Sequence, residues 1–303
     1  MASLKEVKTR IASVNNTRKI TSAMKMVASS KLHRAGQAIE NMRPYQSRLE
    51  RMTATFVRHL AAEASSPYAA EREVRRVAIV AYTSNSSLCG AFNANVIKAF
   101  RKQVQAYADA GVEVVKVIPI GRKMTDAARK AGFDAAPDYS TLLDHPAYGP
   151  AARIASELME DFQSGKIDRV DLIYHHFHSV GKQTLTDEVF LPVSLSSTEC
   201  DSATAPDETG AQDGTTSQLR DNYIVEPSAE VLLSRLIPKS LHLKLYTALL
   251  DSLASEHAAR VIAMQVATDN ADELLRQLTL TYNKTRQQAI TTELLDIVGG
   301  SMQ

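Results

Sequence analysis

The chain has 303 residues, enough for one or two domains with a real core, and its 35 Lys and Arg balance 34 Asp and Glu, which excludes a global pull toward nucleic acid or acidic membrane. Two cysteines, Cys89 and Cys200, are too few for a disulfide framework and point to a reducing compartment. Polar residues break every apolar run before the ~18 that a membrane helix needs, and the first residues lack the charged-then-apolar order of a signal peptide, so a soluble protein is expected.

The first sixty residues read as helix. They carry twelve Lys and Arg against only Glu6, Glu40 and Glu50, and such a basic helix calls for acidic partners or a solvated face. Leu4, Val7, Ile11 and Val14 follow a 3-4-3 spacing. Ile20, Met24 and Val27 resume it in a shifted frame. From Ala28 through Leu32, Ala35, Ile39, Met42, Gln46, Leu49, Thr53 and Phe56 to Leu60 the steps alternate 4 and 3, a heptad seam. The shift near Ile20 predicts locally loosened supercoiling. Pro44 lacks an N–H and predicts a kink at 40–44.

The middle, 67–195, reads as an α/β domain. Residues 76–82 (RVAIVAY) form an apolar, β-branched run typical of a buried strand. A helix over 91–110, a strand over 112–120, a helix over 121–131 closed by Gly132, a helix over 150–163, a strand over 170–177 and an edge strand over 184–193 follow. That alternation implies βαβ units and a mostly parallel, Rossmann-like sheet. Residues 196–222 are acidic and rich in Ser, Thr, Asp and Gly, and read as a flexible loop.

Helix returns over 223–303. Pro227 and Ser228 start it, Pro238 interrupts it early, and Gly299-Gly300 ends it. Met264, Ala267, Ala271, Leu274, Leu278, Thr281 and Thr285 step 3-4-3-4-3-4. Their small and polar members suit close helix–helix approach while burying little apolar area. Two long terminal helices can fold back on each other, so the fold class is α/β with an antiparallel coiled coil of the N- and C-terminal helices.

Motifs for chemistry are scarce. Neither G-x-x-x-x-G-K-[ST] nor G-x-G-x-x-G follows a strand, so the backbone cradle for a nucleotide is missing. G-x-S-x-G is absent as well. His176 and His178 share one strand face, but no second Cys or carboxylate lies at ligand spacing, and they read as ordinary polar strand residues without a metal. The turn 84–93 (SNSSLCGAFN) sits where a Rossmann-like fold binds ligands, yet Cys89 has no basic neighbour in sequence to activate it. Met24 and Met26 lie in the basic helix, where methionines commonly fill a core. The run 283–293 (NKTRQQAITTE) is polar for a buried helix and reads either as a solvated face or as a track facing a partner.

Blocks at both ends carry a family resemblance: KTRIASV at 8–14, NTRKIT at 16–21, then Ala23-Met24, Met26-Val27-Ala28 and Ser30-Lys31-Leu32. Arg43-Pro44-Tyr45, the turn 87–93, Arg260, Ala263-Met264, 267–270 (ATDN), 282–284 (YNK), Arg286-Gln287, Ile290-Thr291, Glu293 and 296–298 (DIV) continue it. Together these segments resemble the gamma subunit family of rotary F-type ATP synthases, over essentially the whole chain. The 196–222 segment looks longer than the family's, and the last four residues depart from its usual ending.

The resemblance implies a shaft. The terminal helices would enter the hexamer of alternating alpha and beta subunits, and the α/β domain would contact epsilon and the membrane c-ring. The chain itself would supply no catalytic residue and hold no cofactor. Arg286 and Gln287 would meet a beta-subunit loop, with Thr291 and Glu293 near them. Met24 and Arg260 would lie in the coupling region facing the beta subunits, with Lys19 and Lys25 as basic-track contacts. The place implied is peripheral, on the cytoplasmic side of a bacterial plasma membrane, driven by protons or sodium ions. Two other classes stay open from the residues alone: an enzyme built on the middle domain, against which the missing phosphate loop argues, and a coiled-coil adaptor binding nucleic acid through its basic helix with steep salt dependence.

Overall fold

The computed structural model describes residues 4–60, 67–70, 72–133, 137–193 and 228–300. In chain order these form α1 (Leu4–Leu60), a 3-10 turn (Pro67–Ala69), β1 (Arg76–Tyr82), α2 (Phe92–Asp109), β2 (Glu113–Ile120), α3 (Arg122–Lys130), α4 (Thr141–Asp144), α5 (Tyr148–Gln163), β3 (Arg169–Ser179), β4 (Lys182–Leu191) and α6 (Ala229–Gly300). The 3-10 turn and the one-turn α4 are too short to leave a periodic signal in the sequence. The acidic segment 196–222 and Cys200 fall outside the described residues.

The sheet runs β2-β1-β3-β4. β1 pairs parallel with both β2 and β3, and β4 closes the edge antiparallel to β3. β1 is therefore central, with both faces covered, which is why its sequence is an unbroken apolar run. Ala78, Val80 and Tyr82 point into a core shared with α5 and the first half of α6. Val77, Ile79 and Ala81 point into a second core under α2 and α3. Edge strand β4 is exposed and half-buried by turns, with a slip at Leu185 and Thr186, and is buried only at Phe190 and Leu191.

The terminal helices are the longest elements, with 57 and 72 residues, or about 85 and 108 Å. They pack against each other more extensively than any other pair of elements. Ser228 caps α6: the Val231 amide donates to its Oγ at 3.3 Å. The expected interruption at Pro238 does not occur, and α1 likewise continues through Pro44. Each proline removes one N–H from a helix otherwise held along its length by tertiary packing, and that single loss does not end it. The described part of α6 ends at Gly300, within the Gly299-Gly300 pair expected to end it.

From residue 241 to 260 nearly every position of α6 is buried, because α1 covers one side and the sheet with α5 covers the other. The Tyr82 hydroxyl, fully buried, donates to the Leu245 carbonyl at 3.1 Å and ties β1 to this segment.

Gly121 joins β2 to α3 at φ +102, a conformation that an L side chain rarely adopts. A Cβ there would sit 2.5 Å from the Thr83 carbonyl oxygen. Gly132 has a similar φ of +95 but open space around it. Gly121→Ala is expected to cost roughly 3 kcal/mol, strain plus clash, and Gly132→Ala roughly 1 kcal/mol, strain alone. Urea unfolding of the full chain checks the difference, and equal costs would show that the Thr83 contact relaxes away.

Candidate functional site: the helical shaft

α1 presents one uninterrupted heptad seam. Taking every third and fourth residue in alternation from Leu4 to Thr53, each position is buried or half-buried. The frame shift expected near Ile20 is absent. Positions 18, 21 and 25 complete the seam with Arg18, Thr21 and Lys25, whereas Ile20 and Val27, assigned to the seam by their apolarity, are 60% and 59% exposed. The polar occupants are held by cross-helix partners on α6. Arg18 pairs with Asp272 at 2.9 Å, the Thr21 and Thr268 hydroxyls share a hydrogen bond at 2.9 Å, and Lys25 Nζ donates to Gln265 Oε1. Hydrogen-bonded polar groups satisfy the seam where apolar ones were expected, so hydropathy alone misplaced it.

These three pairs fix an antiparallel register. The α6 seam is Met264, Thr268, Ala271, Leu275, Leu278, Tyr282, Thr285 and Ala289, each buried or half-buried. Sequence spacing found Met264, Ala271, Leu278 and Thr285 but chose Ala267, Leu274 and Thr281, one residue short of Thr268, Leu275 and Tyr282; Ala267 is half-buried, whereas Leu274 and Thr281 are exposed. Continued toward the chain start, the register sets Leu4 beside about residue 286, and beyond that level α6 runs alone among the described residues for ~20 Å. There Ile290, Leu294, Leu295, Ile297 and Val298 are 43–68% exposed.

The candidate contact residues divide by placement. Lys19, Arg286, Gln287, Thr291 and Glu293 are exposed, and Met24 is half-buried. The Thr291 hydroxyl turns back onto its own helix, donating to the Gln287 carbonyl at 2.9 Å. Lys25 is spent on the seam. Arg260, expected to face outward, is 8% exposed. It pairs with Glu256 at 2.7 Å and donates to the Ser87 carbonyl, so it binds the shaft to the loop after β1. A guanidinium entering a buried helix segment takes internal acceptors rather than remain unpaired.

Sequence reading missed several groups at this junction. Asp251 on α6 is 3% exposed and meets His176 Nδ1 at 2.5 Å. Its signal was a charge pattern, acids inside the apolar stretch 248–259. Leu88 sits at φ +68 yet is 60% exposed, a strained, outward-pointing leucine beside the shaft. His175 is buried and stacks on Phe92 with centroids 4.5 Å apart, and burial lowers its pKa to about 4, so it is neutral near pH 7. Among the described residues no three His, Cys, Asp or Glu side chains cluster as metal ligands. Cys89 is buried, with the Asn93 amide donating to its Sγ at 3.1 Å.

The helix start after β2 is closed to an anion. The amides opening α3 already have acceptors: Arg122 N–H donates to Asn85 Oδ1 at 3.1 Å and Lys123 N–H to the Ser84 carbonyl at 3.2 Å. Met124 and Thr125 N–H donate to the Gly121 carbonyl. No orphan donor is left there for an anion.

A family profile described as ATP synthase matches residues 3–302. The "ATP synthase gamma chain" of Bacteroides thetaiotaomicron is 55% identical over all of both chains. The chain belongs to the ATP synthase gamma-chain family. The protein of the same description from Flavobacterium johnsoniae is 44% identical across 99% of this chain and 98% of its own. Among solved structures, a chain of the Euglena gracilis mitochondrial ATP synthase rotor superposes with a TM-score of 0.61 at 21% identity, covering 95% of this chain and 98% of that one. A chain of the Tetrahymena thermophila mitochondrial ATP synthase central stalk and c-ring gives 0.57 at 21% identity, covering 82% and 99%. Among the described residues, no helix is long and apolar enough to cross a membrane.

The polar seam makes a quantitative expectation. Arg18 and Asp272 are 40% and 52% exposed, so Arg18→Ala should cost less than about 1 kcal/mol. Replacing the more enclosed pair by Lys25→Leu with Gln265→Leu should stabilise the free chain by roughly 1 kcal/mol, because apolar packing replaces two desolvated polar groups. Denaturant unfolding followed by helical signal measures both, and a destabilised double variant would show that the polar pair carries net stability.

Proposed function

We propose that this chain is the central-stalk rotor subunit of a rotary ATP synthase, coupling rotation driven by a proton or sodium gradient to conformational cycling of the catalytic beta subunits. The observation that carries it is the lone end of α6. Among the described residues, Ile290, Leu294, Leu295 and Ile297 stand exposed on a helix that continues past its coiled-coil partner. A helix end of that character needs a surrounding apolar sleeve, and the central cavity of an alpha-beta hexamer is one. Membership of the ATP synthase gamma-chain family supports reading the sleeve as that hexamer.

In this reading the chain is non-catalytic, and its role is to present an asymmetric surface to chemically identical sites. Each beta subunit meets a different side of the shaft, and its equilibrium shifts by the difference in contact energy. Arg286 and Gln287, exposed at the level where α1 starts, are the pair that meets a beta-subunit loop. Thr291 and Glu293 flank that contact. Lys19, together with exposed Ile20, Met26 and Val27, gives α1 a mixed basic and apolar outer face toward the same partners, with Met24 at its margin. Lys25 and Arg260 act from inside the shaft by holding it together. The α/β domain takes the epsilon subunit and the c-ring, and membrane association comes through that ring alone, on the cytoplasmic side of a bacterial plasma membrane.

The test is co-purification of the tagged chain from gently solubilised host membranes. Alpha, beta and epsilon subunits with ATPase activity are the expected companions, and recovery without them would overturn the rotor reading. In the complex, Arg286→Ala should lower coupled ATP synthesis about tenfold, matching the loss of one charge-assisted hydrogen bond at ~1.5 kcal/mol. The chain's own unfolding should not change, since the side chain is exposed. Wild-type coupled rates in this variant would remove Arg286 from the contact.

A further inference from the structure

Apolar packing alone lets a sheet slide or rotate on a helix, because it has no direction. The face between the α/β domain and α6 adds directional bonds at successive levels. The Ser255 hydroxyl, fully buried, donates to the His175 carbonyl at 3.2 Å. Arg260, one turn further on, donates to the Ser87 carbonyl. One turn before Ser255, Asp251 meets the His176 ring at 2.5 Å. From the other terminal helix, Arg43 Nη2 donates to the Phe177 carbonyl at 3.0 Å. The ends of β1 and β3 are thus bonded to both helices of the shaft.

Within this set, Asp251 is the group with the most at stake. Its carboxylate is enclosed, Oδ1 has no hydrogen-bond partner among the described residues, and the bond made by Oδ2 goes to His176. A buried carboxylate with one bond depends on the charge of that one partner. The His176 side chain is 37% exposed and reaches solvent, whereas the Asp251 side chain is enclosed.

We propose that Asp251 and His176 are the positioning pair of a polar clasp that fixes the orientation of the α/β domain on the shaft, and that the clasp is tight when His176 carries its second proton. Its place in the torque path rests on the rotor reading; its existence does not. Load applied to the domain reaches α6 through these bonds, and loss of the imidazolium charge leaves Asp251 enclosed beside a neutral ring.

The charges around His176 come from each packed element. Asp251 on α6 favours its charged form most, Glu188 on β4 does so weakly, and Arg43 on α1 opposes it. His178, edge-on at 4.6 Å on the same strand, is itself lowered by burial, by His176 and by Lys182 of β4, and so adds no competing charge near neutrality. The hydrogen bond to Asp251 is the largest cause, and it raises the His176 pKa above 6.5. The clasp is therefore complete below that ordinary value and is lost as pH climbs through the raised one.

The experiment uses the full chain, without partners, and reads amide hydrogen exchange over 170–179 and 245–260 from pH 6 to 9 after correction for intrinsic rates. Protection in the wild type should fall at least fivefold across that range. His176→Gln keeps a neutral hydrogen-bond donor and should give low, pH-independent protection, and Asp251→Asn should do the same. Flat wild-type protection, or a wild-type profile in His176→Gln, overturns the proposal. Should the variants fail to fold, the wild-type His176 imidazole titration followed by NMR decides: a midpoint above 6.5 supports the clasp, and one at or below it overturns it. Neither readout involves ATPase partners, so failed co-purification would remove the rotor reading without touching this result.

Discussion

The antiparallel contact between α1 and α6 is the constraint on which the rest depends. A helix of 72 residues in a folded protein draws most of its stability from a partner or a core packed along its side. α6 obtains both by dividing its length. Its first half is packed between α1 and the sheet, which is why that stretch is buried on all sides and lacks the polar face of an ordinary surface helix. Its middle has only α1. Among the described residues, its end packs against neither element. The chain thus passes from globular core to coiled coil to bare helix along one continuous element.

Chemistry follows the same gradient. Beside the domain the contact is apolar, with Ile39, Leu250 and Ala254 buried together. Further out the seam turns to Arg18, Thr21 and Lys25 paired across to Asp272, Thr268 and Gln265. Hydrogen bonds between neutral or half-exposed groups contribute about 1 kcal/mol each at most, less than a well-packed leucine layer, but they are directional. The register of the pair is specified by matching donors to acceptors rather than by burial, as a single polar seam position does in simpler coiled coils. The outer face of α1 keeps its exposed apolar residues free of that duty.

Much of the fold was legible in the sequence because the strands announce themselves. β1 was found at its true bounds, since a central strand with both faces covered must be apolar throughout. The two terminal helices and the edge position of β4 were equally plain. The seam between Val14 and Ala28 was not. Hydropathy follows Ile20 and Val27, whereas the fold follows the 3-4 step and fills it with side chains that satisfy one another across the interface. Arg260 shows the same limit. Its long polar chain suggests an outward contact, and only the three-dimensional neighbourhood reveals Glu256 and the Ser87 carbonyl waiting for it. Asp251 and His176 lie 75 residues apart, and no local pattern joins them.

The α/β domain has the topology of a ligand-binding fold, but the helix start after β2 keeps no free amide for an anion. Free amides at a helix start after a strand can receive a phosphate, and α3 starts after Gly121. Here Ser84, Asn85 and Gly121 itself occupy those amides. The loop after β1 is committed as well, since Ser84 and Asn93 bond each other and the Ser87 carbonyl accepts from Arg260. What a doubly wound sheet ordinarily spends on a ligand at the carboxyl ends of its strands is spent here on gripping a helix. The fold's usual binding edge has become an attachment edge.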